Sequence, residues 1–170
     1  MKVAFFDRDG TIICDYPDHE WSKIHTPEFI DGSIETLKAV QDRGYEIIII
    51  TNQYLINEKI ITKKQYENIT ARILKVLKDC GVLVLDIFFC PHSRSEGCSC
   101  IKPERGMIDQ ATTRYPSIDL KNSIIIGDSI CDMELARNLG VKGYWITEDK
   151  EGIYQGITPV KEIQEIVLDM

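Results

Sequence analysis

The sequence predicts an α/β fold: one Rossmann-like, doubly wound parallel sheet. Three observations predict it. Short apolar runs rich in β-branched and aromatic residues alternate with segments of helical periodicity along the chain. The run at residues 45–50 is apolar at nearly every position, which marks a strand buried on both faces, as in parallel sheets. Polar signals then follow the strand runs directly: Asp7 and Asp9 after the first, Thr51 and Asn52 after the second, Gly127 and Asp128 after a later one. In a parallel sheet such ends share one edge, where ligands bind.

Taken in order, residues 2–6 form the first strand, which carries Val3, Phe5 and Phe6 into Asp7-Arg8-Asp9-Gly10-Thr11. Residues 12–30 hold Pro17, Pro27, Trp21, His19 and His25 without periodicity and read as a loop or flap beside that strand end. Asp31 is expected to N-cap a helix with Ile34, Leu37 and Val40 on one face and Gly44 as its stop. The strand at 45–50 ends at Thr51-Asn52-Gln53. Thr62 and Gln65 make a capping box for a second helix whose apolar face is Tyr66, Ile69, Ile73, Val76, Leu77 and Cys80, closed by Gly81. Residues 82–89 are the next strand and 106–115 a shorter helix. A strand at 122–126 delivers Gly127-Asp128, and Ser129 caps a helix carrying Met133, Leu135, Ala136 and Leu139. Residues 141–146 are the last core strand. Thr158-Pro159, a cap followed by proline, predicts the start of a terminal helix.

A chain of 170 residues, 44% hydrophobic and 28% charged, suffices for one domain, 1–170, with one core. Acidic residues number 27 against 20 basic, and the net charge of −7 argues against a surface made for nucleic acid or anionic lipid. The early charge at Asp7, and the lack of any apolar run approaching about 20 residues, predict neither a leader nor a membrane span, and a cytoplasmic monomer is expected. In that reducing setting six cysteines read as thiols or metal ligands rather than a disulfide framework.

Asp7 and Asp9, two apart on an extended chain, can share a face, while Gly10 lets the backbone turn away. Two carboxylates so close suit a divalent cation, or a division between nucleophile and acid/base. Together with a hydroxyl, an amide, Asp128 and the cation of Lys102, they could hold magnesium and a transferring phosphoryl group, with an aspartyl-phosphate as intermediate. The loop 90–100 is different in texture: Cys90, His92, Cys98 and Cys100 are set among small and polar residues with nothing large and apolar to order it.

These residues resemble the haloacid dehalogenase-like phosphohydrolases, through D-R-D-G-T at Asp7 to Thr11, T-N-Q at Thr51 to Gln53, Lys102, and G-D-x-x-x-D at Gly127 to Asp132. The resemblance implies Asp7 as nucleophile and Asp9 as general acid, later base. It implies magnesium on Asp7, the main-chain carbonyl of Asp9 and Asp128, and phosphoryl or substrate binding by Thr51, Asn52, Gln53 and Lys102. Asp132 is left with two readings, a place behind the metal or a favourable charge on the first turn of its helix. The C-x-H…C-x-C-x-K-P loop is similar to that of the capless subgroup containing D-glycero-D-manno-heptose 1,7-bisphosphate phosphatase and the histidinol-phosphate phosphatase domain. Residues i and i+2 on an extended chain face one way, so the two pairs can offer four ligands to a tetrahedral, structural zinc that would also fix Lys102.

Two departures bear on substrate. An arginine usual before the lysine is Ile101 here, and the stretch after T-N-Q reads Tyr54-Leu55-Ile56-Asn57-Glu58-Lys59, without the arginine expected there. The expectation is therefore a magnesium-dependent phosphatase for a small phosphorylated metabolite, a sugar phosphate such as the heptose bisphosphate. Histidinol phosphate is the alternative, and a non-catalytic zinc-stapled binding module the alternative of another class. Cys14, Cys80 and Cys131 are expected as ordinary buried thiols, and the Trp21/His25 flap either packs or touches substrate.

Overall fold

The structure is a computed structural model and describes residues 1–148 and 155–170. Its frame is a six-stranded, all-parallel sheet in the order β3-β2-β1-β4-β5-β6. The strands are β1 (Val3–Phe6), β2 (Glu46–Asn52), β3 (Val84–Cys90), β4 (Ile124–Gly127), β5 (Lys142–Ile146) and β6 (Ile157–Val160). The helices are α1 (Ser33–Asp42), α2 (Lys63–Asp79), α3 (Gly106–Arg114), α4 (Ile130–Leu139) and α5 (Ile166–Asp169). Each central strand is divided between two cores at every second residue. Ala4, Phe6, Ile47, Ile49, Ile124 and Ile126 pack with Leu37, Ile69, Ile73 and Leu77, while Val3, Phe5, Ile48, Ile50 and Ile125 pack with Met107, Ile108, Met133 and Leu135. Such two-sided burial explains why the strand runs are continuously apolar. The chain winds β1, β2, β3 outward and then returns to place β4 on the other side of β1. The switch point therefore lies between the ends of β1 and β4, where a crevice opens.

Several expectations are met in detail. Thr62 Oγ1 accepts from Gln65 N and Gln65 Oε1 accepts from Thr62 N, closing the capping box at the start of α2. Others need correction. Asp31 does not cap α1: the N-cap is Gly32, in the left-handed region at φ 76°, because Gln164 of the terminal segment packs where a Cβ would stand, 1.9 Å from its Oε1. Thr158-Pro159 opens no helix but lies in β6, since Ile157 and Val160 are buried and tie the segment to β5. Proline is tolerated there because β6 is an edge strand. The stripe of α2 facing the sheet is Tyr66, Ile69, Ile73 and Leu77, and Val76 and Cys80 fall to its exposed side. Cys80 is thus no buried thiol, and Cys14 and Cys131 are only half-buried. Residues 12–30 pack closely, with Ile12, Ile13 and Trp21 in the core and a 3-10 helix at Asp18–Lys23, while His19 and His25 point outward.

Candidate active site

At the switch point a cavity of about 230 Å³ is lined by Asp7, Asp9, Asp15, Trp21, Thr51, Asn52, Tyr54, Leu55, Lys102, Asp128, Ser129 and Cys131. β1 delivers Asp7 to its floor, 6% exposed, with the Asp7 N–H donating to Ile126 O of β4 at 2.8 Å. The Lys102 ammonium reaches it from the loop after β3. It donates to Asp7 Oδ1 at 2.5 Å, Asp132 Oδ1 at 2.7 Å and Ile50 O at 3.0 Å, so all three of its protons are placed.

The lysine is itself held from behind. Its backbone N–H donates to Asn52 Oδ1 at 2.8 Å and its carbonyl accepts from Asn52 Nδ2 at 3.2 Å, a reciprocal pair that fixes the 102 backbone against the end of β2. Asp132 links the start of its helix to the lysine. It receives Ser129 Oγ at 2.7 Å and Ser129 N at 3.3 Å as the return half of the α4 capping box, and its other oxygen holds Lys102. Glycine makes room for these approaches: a Cβ on Gly127 would lie 2.3 Å from Asp132 Cγ, and one on Gly10 would lie 2.2 Å from Asp128 Oδ2.

Charge is unbalanced here. Carboxylate oxygens of Asp7, Asp128 and Asp132 all lie within 4.8 Å of one another, facing a single ammonium. Burial pushes the Asp7 carboxyl well above its ordinary value; Lys102 opposes this, and Asp132, Asp128 and Asp9 add to it. Asp128 is pushed up to about 6 by burial and by Asp132. Burial also works against the charge on Lys102, but Asp132 and Asp7 outweigh it and keep the ammonium protonated. Since both oxygens of Asp132 are engaged by Lys102 and Ser129, Asp7 and Asp128 are the carboxylates with capacity for a hard divalent cation, whose charge would offset the upward pull on both. The set fits magnesium.

Asp9 also lines the cavity. Its carboxylate accepts from Arg8 Nε at 2.8 Å and Nη2 at 2.9 Å, and from Gln53 Nε2 at 2.6 Å; the same Gln53 nitrogen donates to Thr51 Oγ1 at 2.9 Å. Gln53 is fully buried and does not line the cavity, so its contact is with Asp9 rather than with anything bound there.

Four further ligand atoms meet where the loop 90–100 folds back on the end of β3. Cys90, His92, Cys98 and Cys100 offer atoms all within 4.8 Å of one another, with Sγ of Cys90 and Cys98 3.4 Å apart and His92 Nδ1 3.1 Å from Cys100 Sγ. The donor set is that of a structural zinc site, and Sγ of Cys90 and Cys100, 2.7 Å apart, would have to separate to roughly 3.8 Å to take tetrahedral bonds of about 2.3 Å. Although burial opposes it, backbone N–H groups of Cys100 and Ile101 and neighbouring thiols bring Cys98 down to about 7, which readies a thiolate. All six cysteines are free thiols.

The structure thus brings Asp7, Asp9, Thr51, Asn52, Lys102 and Asp128 to one cavity and the Cys/His set to another cluster. Sequence reasoning missed Arg8, Asp15, Tyr54 and Arg94. Arg8 sits inside a motif that was read for its aspartates alone. Arg94 lies with its guanidinium 4.1 Å over the ring of Tyr54, a cavity residue, and donates from Nη2 to Glu58 at 2.6 Å and to Asp18 at 3.1 Å, so it joins the Cys/His loop, the stretch after Thr51 and the 12–30 segment. No periodicity could have signalled that.

This sheet order, with acidic groups at the ends of β1 and β4 and a lysine between them, is the arrangement of the haloacid dehalogenase-like phosphatases. Comparison with known proteins narrows it. The family described as polynucleotide kinase 3 phosphatase matches residues 2–144. A D-glycero-alpha-D-manno-heptose-1,7-bisphosphate 7-phosphatase of Photorhabdus laumondii is 43% identical over 148 residues, covering 83% of this chain and 79% of its own. A histidine biosynthesis bifunctional protein of Campylobacter jejuni is 35% identical over 84% of this chain and 41% of its own. The structure of a D,D-heptose 1,7-bisphosphate phosphatase from B. bronchiseptica, complexed with magnesium and phosphate, shares the fold at a TM-score of 0.86 and 23% identity over 99% of this chain and 97% of that one. The chain belongs to this phosphatase family of the haloacid dehalogenase-like fold.

Proposed function

We propose that this phosphatase is a magnesium-dependent phosphomonoester hydrolase working through an aspartyl-phosphate on Asp7, with D-glycero-D-manno-heptose 1,7-bisphosphate as its substrate. The observation that carries the reading is the setting of Asp7: buried in the cavity lining, held by Lys102, close to Asp128, and in a cavity that Asp9 also lines. Asp7 attacks the phosphorus and the bond to the leaving oxygen breaks, that oxygen taking its proton from Asp9. Water then attacks the phosphorus, gives its proton back to Asp9, and releases Asp7 and phosphate. The Thr51 hydroxyl meets an equatorial oxygen and the Lys102 ammonium offsets its charge, with Asn52 keeping Lys102 in register. Magnesium on Asp7, Asp128 and the Asp9 carbonyl would offset charge on the phosphoryl oxygens. Zinc on Cys90, His92, Cys98 and Cys100 is read as structural, because four protein ligands leave no open position. A single domain acting in the cytoplasm accords with these parts; no helix among the described residues is long and apolar enough to cross a membrane.

The sugar is favoured by the cavity wall of Trp21, Tyr54 and Leu55, by Arg94 over Tyr54 as a cation for the distal phosphate, and by the names of the relatives. Histidinol phosphate is the second reading, since Asp15 on the same wall is an acceptor suited to its amine. A screen settles the choice: heptose 1,7-bisphosphate, histidinol phosphate and a 3′-phosphorylated oligonucleotide, each with magnesium. We expect the heptose to lead in kcat/KM by roughly tenfold or more, the margin a polar pocket can set. Preference for the oligonucleotide would overturn the reading.

A further inference from the structure

Between the two aspartates of the first motif lies a buried cation that the reaction as written does not use. Arg8 is 1% exposed, yet each of its three guanidinium nitrogens is engaged: Nε and Nη2 grip the two oxygens of Asp9 at 2.8 and 2.9 Å, and Nη1 donates to Thr70 Oγ1 on α2 at 3.1 Å. The rings of Tyr66 and Trp21 lie 5.1 and 5.9 Å from its central carbon. A fork held at its third nitrogen and flanked by two rings cannot swing, so the carboxylate it grips is fixed in orientation as well as place.

The count of acceptor positions matters. An ionised carboxylate has about four lone-pair sites. On Asp9, Oδ2 takes both Arg8 Nη2 and Gln53 Nε2, while Oδ1 takes only Arg8 Nε. One site remains, on Oδ1, and Asp9 lines the cavity with 14% of its side chain exposed. We propose that Arg8 is a positioning residue for proton transfer: its fork, anchored on Thr70, holds Asp9 so that the single open position on Oδ1 meets the leaving-group oxygen and later the attacking water. This rests on the reading of Asp9 as acid and base.

The plainer role for Arg8 is to pin α2 to the end of β1, and the test must separate the two. Leaving groups do so. A nitrophenolate departs without a proton, a sugar alkoxide does not, and kcat/KM reports only the steps up to that departure. In Arg8→Met and Arg8→Lys, kcat/KM for the sugar phosphate should fall about 10- to 100-fold, the cost of a misplaced reacting group. For p-nitrophenyl phosphate it should change by less than about threefold, since general acid catalysis contributes little there. Lysine should not rescue, because a point charge cannot replace the fork. On an Asp9→Asn background, Arg8→Met should cost nothing further with the sugar phosphate, as expected when one residue acts only through the other. Thr70→Val, nearly isosteric, should show the same leaving-group bias in smaller measure, and it carries the test if the Arg8 variants fail to fold.

Equal losses on both substrates, or losses that add to that of Asp9→Asn, would overturn the inference and leave Arg8 a structural pin. If Asp9→Asn cripples turnover of the sugar phosphate while the Arg8 and Thr70 variants do not, the positioning role alone fails. If Asp9→Asn itself turns over sugar phosphate normally, the acid/base reading fails and takes the inference with it.

Discussion

Two clusters of metal-ligating side chains stand close together in this protein, and they are built in opposite ways. The acidic cluster is assembled from afar: Lys102 and Asp7 are 95 residues apart and meet because the loop after β3 is clamped to the end of β2, the neighbour of β1 in the sheet. The Cys/His cluster is local, its ligands lying within residues 90–100. Two of them, Cys90 and Cys100, are buried in the core, but the segment between is exposed from Arg94 to Gly97. Burial alone cannot offset the ~1–2 kcal/mol per residue of backbone entropy lost on ordering such a segment. A structural metal can, at about 10 kcal/mol of apparent binding free energy in small peptides. The difference teaches which site depends on its ion for shape. On the reading proposed above, the acidic cluster takes its geometry from the sheet and from Lys102, whereas the loop would take its geometry from the ion.

The largest effect should come from the preformed cluster. Asp7→Asn keeps the shape and loses the nucleophile, so turnover should drop by roughly 10⁴-fold or more with circular dichroism unchanged. Appreciable activity in the purified variant would show that the covalent chemistry lies elsewhere. Next comes the loop. Cys100→Ser removes a ligand two residues from Lys102, and kcat/KM should fall about 10- to 100-fold, as for other groups that orient a site from behind. Cys98→Ser should cost less, because Asn52 still clamps the Lys102 backbone. Zinc content by elemental analysis should be one per chain in the parent and lower in both variants. A native disulfide among these cysteines, or no zinc in protein purified without chelator, would break the comparison.

A third effect separates the clusters by pH. Asp128 titrates at about 6 when folded, above its usual 3.8, so its contribution to stability is present below about pH 4 and is lost as pH rises through 6. Asp7 is raised in the same direction. Magnesium binds the ionised forms and relieves that loss. Its effect on Tm should therefore be larger at about pH 8 than at about pH 5. An equal shift at both would contradict the placement of the ion on these carboxylates. The smallest effect belongs to an exposed cation: Arg94→Ala should raise KM for a bisphosphate a few-fold and leave a monophosphate nearly unchanged, because an exposed charge pair contributes about 1 kcal/mol or less. Equal changes for both substrates would remove Arg94 from substrate recognition.

What could be read from sequence follows the same division. The strand ends were legible because Asp7, Thr51 and Asp128 directly follow apolar runs, and the Cys/His loop because its spacing is local. Thr158-Pro159 misled because a cap signal is local too, and here the burial of Ile157 and Val160 against β5 overrode it. Asp31 failed for a similar reason, the docking of Gln164 on Gly32. Arg8, Asp15, Tyr54 and Arg94 take their meaning from partners on other elements, and no periodicity within their own segments records those partners.

The central claim is that the phosphoryl group passes through Asp7, and trapping it is the most direct test. The parent enzyme would be quenched in acid during turnover of its best substrate, digested, and its peptides mapped by mass. The account predicts a hydroxylamine-labile phosphoryl group on the peptide containing Asp7, absent from Asp7→Asn. A phosphoryl group on any other residue, or none in an enzyme caught turning over, would contradict it.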